Sequence, residues 1–576
     1  MKRKFASFIL ICFLVLFSFC TKKNEGVKWV NLSADSILKL YFSSELINDS
    51  LFIEDKKTLA SLYGNDNNNL IWFNGDAQIH PFAFELIEHT NNAISYGLDP
   101  EFYDNEVLKN LLAFYPNAPK ILHSKIQFLS EILLSNLYLS FYQHLKIGWL
   151  RPIENLDSFN LERKDFLGSF LEDYPNGDFV DEVEHNYLHY KNYRKSIGDF
   201  FTKHQNIAPL DEVIDIEDSL KAVELCKNRL VDWQLLEADK KDNDVEFAKA
   251  LKTFQYMFGV NSSGKLDSVT VDALNIPFSF LKKNAIIVTE KLKSVEQEHE
   301  NFIMINIPTF TLFWAELGEL AKTHKVILGT VRNHTPELTS TISKFFIYPE
   351  WNIPYSIATM EALPNIKRNI SYLDKNHYSV MKSDRTLVDP NTVNWSRLNR
   401  GNFPYKLVQS PGRHNLLGLV KFHFNNSHSV YLHDTPSKRL FLNNYRSYSH
   451  GCMRLHDPFG FLKTILEFQE GVIHLPPESI KKRGLEASQK KFKEIIEGKE
   501  NVAMIDTIYN YMEENKYATK AFNFKQRVHL SVEYYTSFYD STMQTLFYRD
   551  LYKKDSVLYH QYDTYKSSKI GRKKTE

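Results

Sequence analysis

Tyr431-Leu432-His433-Asp434-Thr435-Pro436, followed further on by Ser449-His450-Gly451-Cys452-Met453-Arg454-Leu455, is the passage that decides the reading of this chain. His433 closes an apolar run, Val430-Tyr431-Leu432, with strand character, and the turn-forming residues Asp434 to Ser437 follow it at once. The pattern predicts a histidine at a strand end. A thiol attacks carbonyl carbon as the thiolate, and a histidine within hydrogen-bond reach accepts its proton and then balances its charge. Gly451 leaves room for a substrate against the backbone, and the N–H groups of Gly451 and Cys452 are candidate donors to a developing oxyanion. Beyond Arg454, the apolar positions Phe459, Phe461, Leu462, Ile465 and Leu466 predict a helix whose positive end would lower the thiol pKa. Taken alone, these residues fit equally an active Cys–His pair and two unrelated side chains with an ordinary turn glycine.

The wider pattern resembles a known family. His433 and the block Ser449-His450-Gly451-Cys452-Met453-Arg454 resemble the signature of the YkuD-type L,D-transpeptidases, cysteine enzymes that cross-link peptidoglycan. Pro411-Gly412-Arg413-His414-Asn415-Leu416-Leu417-Gly418-Leu419-Val420-Lys421-Phe422 is similar to the segment before the catalytic histidine in the large periplasmic members. Gly329 with Thr335-Pro336, and Pro349-Glu350-Trp351-Asn352-Ile353-Pro354, resemble that subgroup's strand entry and substrate-covering insertion.

The resemblance implies Cys452 as nucleophile and His433 as general base and acid. They would act on a stem tetrapeptide, release D-alanine and form a 3→3 cross-link to the side-chain amine of a neighbouring stem. Gly451 is the first oxyanion N–H. Tyr431 is either a further donor or a core aromatic. Arg454 holds either a substrate carboxylate or, as we expect, its own loop by bidentate hydrogen bonds. Ser449, His450 and Trp351 complete the expected substrate-binding or site-supporting set. His450, two residues from Cys452, is poorly placed as base beside His433. Although His414, His423, His428, His433, His450 and His456 crowd one region, they form no compact ligand pair, so neither metal nor other cofactor is expected.

The 576 residues suggest two to four domains. Basic and acidic residues balance at 70 each, which gives no electrostatic argument for nucleic acid as a partner. With 43% hydrophobic and 14% aromatic residues the chain can bury sizeable cores. Lys2-Arg3-Lys4 and the short apolar run Phe5 to Phe19 predict an export segment over residues 1–24, with Cys20 as a lipidation candidate despite Phe19 before it. A periplasmic or cell-envelope location follows, with the membrane engaged only through an N-terminal lipid or anchor. Cys226 is expected to be a buried apolar residue rather than a disulfide partner of Cys452.

The expected fold class is α+β multidomain: a mostly β YkuD-like sandwich with a helical lid insertion, an N-terminal helical scaffold and a small helical module. Apolar spacing across 35–235, including Leu129, Ile132, Leu133, Leu137, Leu139 and Phe141, predicts the scaffold, and parts of it resemble the scaffold domain of the large members. Residues 240–280 look like a peptidoglycan-binding type 1 module, with Leu251, Phe254, Phe258, Ala273 and Leu274 as core. Its loop Asn261-Ser262-Ser263-Gly264 lacks the usual acidic pattern. The catalytic domain is expected over 285–560, with strand-like runs from Ala285-Ile286-Ile287-Val288 onward, a lid at about 337–405 and a closing hairpin at about 525–552. Residues 561–576 read as a disordered tail.

Peptidoglycan stem peptides and glycan are the expected partners, with other wall synthases as further ones. Two rivals stand beside transpeptidation: an L,D-carboxypeptidase using water at the same site, and a wall-bound scaffold without catalysis. Thiol acylation by a carbapenem separates the catalytic readings from the scaffold.

Overall fold

The computed structural model describes residues 33–43, 56–63, 70–103, 105–295, 299–475 and 504–571. The expected export segment and Cys20 lie outside them. No helix among the described residues is long and apolar enough to cross a membrane.

The chain divides into two compact units, 1–93 with 100–184 and 566–576, and 94–99 with 185–565. The first is helical. Its central helix, Lys120–Lys146, buries residues on most of its circumference, so it is enclosed by neighbours rather than lying on a surface. Glu131 on this helix is fully buried and accepts from the backbone N–H groups of Ile71 and Trp72 and from the Tyr63 hydroxyl. Burial pushes its carboxyl up to about 7. The unit ends at Glu184, so the expected scaffold boundary near 235 does not coincide with a structural one. Helices Leu188–Lys203 and Ser219–Asp232 belong to the second unit, where Tyr193, Ile197, Cys226 and Leu230 are buried in its core.

Among the described residues of the second unit fifteen strands follow: β1 (Phe302–Asn306), β2 (Thr311–Glu316), β3 (Glu319–Gly329), β4 (Leu338–Ile347), β5 (Trp351–Asn352), β6 (Tyr378–Met381), β7 (Leu387–Val388), β8 (Lys406–Gln409), β9 (Val420–Phe424), β10 (Leu432–His433), β11 (Ser447–Ser449), β12 (Met453–Leu455), β13 (Lys520–Glu533), β14 (Ser537–Tyr539) and β15 (Thr545–Phe547). Nine form the main sheet in the order β11-β3-β12-β10-β9-β4-β13-β1-β2. β3 also pairs with β2 through its first half, while its second half pairs with β12. That long strand carries the sheet from one layer of the sandwich to the other.

Period-two alternation assigns the faces. Ile303 and Ile305 point into an inner core with Trp314, Phe345, Phe422, Leu432, Met453 and Leu530. Phe302 and Met304 point the other way, into a second core shared with helices Asp244–Met257 and Phe278–Lys293. Leu251, Phe254, Phe258, Ala273 and Leu274 are all buried there.

Four sequence readings change. Ala285 to Val288, read as a strand, lies within helix Phe278–Lys293, whose residues 284–290 are all buried. Burial on every side erases the polar face that marks an amphipathic helix. Residues from 338 do not open the insertion: they are β4, alternating and β-branched, paired with both β13 and β9. The insertion follows as a four-stranded sheet β5-β8-β6-β7 with short helices, around a core of Trp351, Leu363, Ile366, Trp395 and Leu407. The two strands expected to close as one hairpin do not pair with each other. β13 runs parallel to β1 in the main sheet, and β14 pairs with β15 apart from it. Finally, Ser556–Gly571 is a helix, so most of the expected disordered tail has regular structure.

Candidate active site

Strand register assembles the site. β10 pairs parallel with β12, His433 opposite Arg454, and antiparallel with β9, His433 opposite Lys421. Directly paired residues project from the same face, so Lys421, His433 and Arg454 stand in a row across three strands. Their neighbours Phe422, Leu432 and Met453 fill the inner core on the opposite face. The Met453 N–H donates to the Tyr431 carbonyl at 2.9 Å, which brings Cys452 to the end of β10.

His433 is 3% exposed. Its Nδ1 lies 2.5 Å from the Asp434 carbonyl oxygen. A carbonyl only accepts, so Nδ1 carries the proton and Nε2 is left as the basic nitrogen. Burial, then the Arg454 charge, lowers the imidazole pKa to about 3, against the raising effect of the Asp434 backbone bond. The ring is neutral at neutral pH. Asp434 itself is clamped, accepting from the Leu419 N–H at 2.8 Å and from Lys438 Nζ at 2.7 Å. Gly418, with φ +61°, makes this possible, since a Cβ there would lie 2.3 Å from the Asp434 carboxyl carbon.

Burial pushes the Cys452 thiol above its usual range; a backbone hydrogen bond from Tyr431 and the charges of Lys421 and Arg454 pull the other way. The expected help from a helix N-terminus is absent, because Met453–Leu455 is strand and the next helix starts at Pro458 with Asp457 as its cap. Two cations replace the dipole. Lys421 Nζ also sits 3.9 Å from the Tyr431 ring centroid, and burial lowers its own pKa while Cys452 raises it. In the sequence Lys421 stands out only as part of a motif. Its signal was the alternation of β9, where Val420, Phe422 and Phe424 are buried and Lys421 and His423 face outward.

The loop before Cys452 is held by polar bonds. Gly451 has φ +107°, and a Cβ there would lie 3.1 Å from the His334 carbonyl oxygen. Its N–H, expected to be free, donates to Ser449 Oγ at 3.1 Å, and Ser449 Oγ donates to the Cys452 carbonyl at 2.6 Å. Thr335 Oγ1 donates to the Gly451 carbonyl at 2.9 Å and accepts from the Gly329 N–H at 2.9 Å.

The residues from 300 to 472 match the L,D-transpeptidase catalytic domain YkuD, and residues 57–196 match the scaffold domain. The chain is thus similar over these two stretches to the catalytic and scaffold domains of L,D-transpeptidases. A protein of Haemophilus influenzae named "Putative L,D-transpeptidase" is 33% identical over 166 residues, which cover 29% of this chain and 33% of that relative. The match therefore spans about a third of the relative's length.

Within the YkuD domain, three other expected site residues take different places. Arg454 makes no hydrogen bond to its loop among the described residues. Arg446 does that work: it is 6% exposed and donates to the carbonyls of Val326, Asn443, Asn444 and Phe310. His450 points away to Glu361 of the insertion at 2.8 Å, both half-exposed. Trp351 is 7% exposed and packs inside the insertion's core, edge-on to Tyr378. Tyr431 packs against that core as well as standing edge-on to His433, and burial raises its hydroxyl to about 12. Cys226 is fully buried and, like Cys452, a free thiol.

Proposed function

We propose that this protein is a peptidoglycan L,D-transpeptidase with Cys452 as nucleophile and His433 as general base and acid. The observation that carries the reading is the row Lys421, His433, Arg454 on one sheet face beside Cys452, with the imidazole tautomer set by Asp434. His433 Nε2 takes the thiol proton as sulfur attacks the carbonyl carbon of the third residue of a stem tetrapeptide. The C–N bond to D-alanine then breaks, and the imidazolium returns the proton to the leaving nitrogen. The side-chain amine of a second stem attacks the thioester, loses its proton to His433 and gives a 3→3 cross-link.

With the Gly451 N–H bound to Ser449, the Cys452 N–H, which makes no hydrogen bond among the described residues, is the backbone oxyanion donor, and the Tyr431 hydroxyl is a second one. Lys421 and Arg454 have no ion-pair partner among the described residues. Two half-buried cations without a counter-ion favour an anion joining them; the thiolate is one and a stem-peptide carboxylate the other, with Arg454 suited to bidentate capture. In this reading the insertion sheds water from the thioester and favours the amine acceptor. The export segment and Cys20 assign the protein to the cell envelope, anchored at its N-terminus, with stem peptides and glycan as partners and other wall synthases beside it.

The test is mass spectrometry of products from disaccharide-tetrapeptides incubated with residues 25–576 and with its Cys452→Ala variant. A cross-linked dimer lacking one D-alanine, absent with the variant, is the expected result. Tripeptide alone would assign an L,D-carboxypeptidase, and no Cys452-dependent product would remove the catalytic reading.

A further inference from the structure

The sheet face that carries His433 continues past β9 onto β4. Phe346 on β4 stands opposite Lys421, and Lys344, two residues earlier on the same strand, stands opposite His423. Residues two apart on a strand share a face, so Lys344 and His423 project on the same side as Lys421 and His433, while Phe345 and Phe422 between them fill the inner core. Lys344 and His423 are both partly exposed. Phe346 gathers the group: the His423 ring is edge-on to it at 6.2 Å, and Lys344 Nζ lies 5.9 Å from its centroid, which turns the lysine toward the row that holds His433.

The charge gathered there is of one sign. Lys344, like Lys421, has no ion-pair partner among the described residues. Burial, then the charges of Lys344 and Lys421, lowers the His423 pKa, and no carboxylate among the described residues opposes them. Such a face favours an anion.

The spacing says which one. In the sheet order β12-β10-β9-β4, Cys452 at the head of β12 is separated from His423 by two strand spacings and from Lys344 by three. At ~4.8 Å per strand, these are about 10 Å and 14 Å across the sheet. In a peptidoglycan stem the second residue is a glutamate joined to the third through its side-chain carboxyl, which leaves its α-carboxyl free. Seven bonds separate that carboxyl carbon from the carbonyl carbon of the third residue, an extended reach of about 8 Å. With the carbonyl carbon at the Cys452 sulfur, the free carboxylate falls beside His423, where a lysine side chain rooted on β4 and leaning toward the site meets it.

We propose that Lys344, beside His423, binds the free α-carboxylate of the second stem residue, so that the site selects donor stems with this carboxyl unmodified over stems in which it is a neutral amide. The assignment rests on the proposed acyl transfer at Cys452 and is separate from the carboxylate given to Arg454, which lies on the other side of His433.

The test compares D-alanine release by residues 25–576, beside the Cys452→Ala variant, from two synthetic disaccharide-tetrapeptides that differ only in carrying a carboxyl or a carboxamide at that position. kcat/KM for the acid is expected to exceed that for the amide about tenfold, the discrimination of one charge-assisted bond. Lys344→Gln brings the two values together, Lys344→Glu reverses their order and Lys344→Arg keeps it, whereas a lysine with a merely structural role would lower both alike. Equal Cys452-dependent release from the two stems, or a preference unchanged in Lys344→Gln, overturns the subsite and leaves the acyl transfer standing. No Cys452-dependent release from either stem overturns the acyl transfer and the subsite together.

Discussion

His433 and Arg454 face each other across the parallel pair of β10 and β12, so the proposed base and a half-buried guanidinium share one sheet face. The proximity acts on both protonation states that matter at this site. Burial is the larger cause at both groups; the guanidinium adds to it in keeping the imidazole neutral and opposes it at the thiol. Thiol and imidazole are thus both neutral at rest, and in the proposed mechanism the thiolate forms as the proton moves.

Lys421→Met removes one of the two charges that lower the Cys452 pKa. The alkylation rate of the native protein by iodoacetamide is expected to rise with pH through and beyond 9, since burial sets the thiol above its ordinary 9.0. In the variant the profile moves to higher pH, and at pH 8 the rate falls about three- to tenfold, up to one pKa unit. Lys421→Arg keeps most of the native rate. An unshifted profile in Lys421→Met would separate Lys421 from the thiol.

The His433 pKa, lowered from 6.5 to about 3, makes stability depend on pH. Between those values the unfolded chain binds a proton that the folded chain refuses, so this contribution is complete above pH 6.5 and is lost as pH falls toward 3. The slope is ~1.4 kcal/mol per pH unit for the one proton. Urea denaturation from pH 7 to pH 5 should show a steeper loss for the native protein than for His433→Gln. His204, His324 and His529, each lowered by burial to about 4, add the same slope to both proteins. Identical slopes would contradict the depressed pKa.

Arg446→Ala strands four carbonyl acceptors and frees the turn before β11. Charge-assisted bonds of this kind make the expected loss about 3 kcal/mol, measured by denaturant unfolding. Acyl transfer should fall with it, since β11 leads directly into Ser449 and the nucleophile loop. Arg454→Ala is the contrast: with no loop bonds to lose, it should affect acylation far more than stability.

Gly451→Ala places a side chain at φ +107° with its Cβ 3.1 Å from the His334 carbonyl. A strained backbone of this kind costs about 1–3 kcal/mol. Carbapenem acylation followed by mass spectrometry should nevertheless fall by more than tenfold, because the shift that relieves the strain moves the Cys452 N–H and Sγ together. A variant that melts lower but acylates at the native rate would show that the glycine serves only the turn.

The motif blocks carried the resemblance that residues 300–472 match, and the strand end at His433 was legible from residues alone, because local turn chemistry and a β run are short-range properties. The alternation of β9 was equally visible, yet it said nothing of Lys421 until register set it opposite His433. Arg446 and Arg454 look alike in sequence; which one binds the loop depends on carbonyls of Phe310 and Val326, far away along the chain. The buried run at 285–288 and the partners of β13 were misread for a related cause. A segment enclosed on all sides loses its periodic signature, and strand pairing is chosen among distant segments. By itself, then, the sequence determined which residue types are candidates for the chemistry and the local geometry of their turns. Only the tertiary structure decided which charges surround the thiol and which arginine binds the loop, because electrostatics and hydrogen bonding act through space between residues the chain keeps far apart.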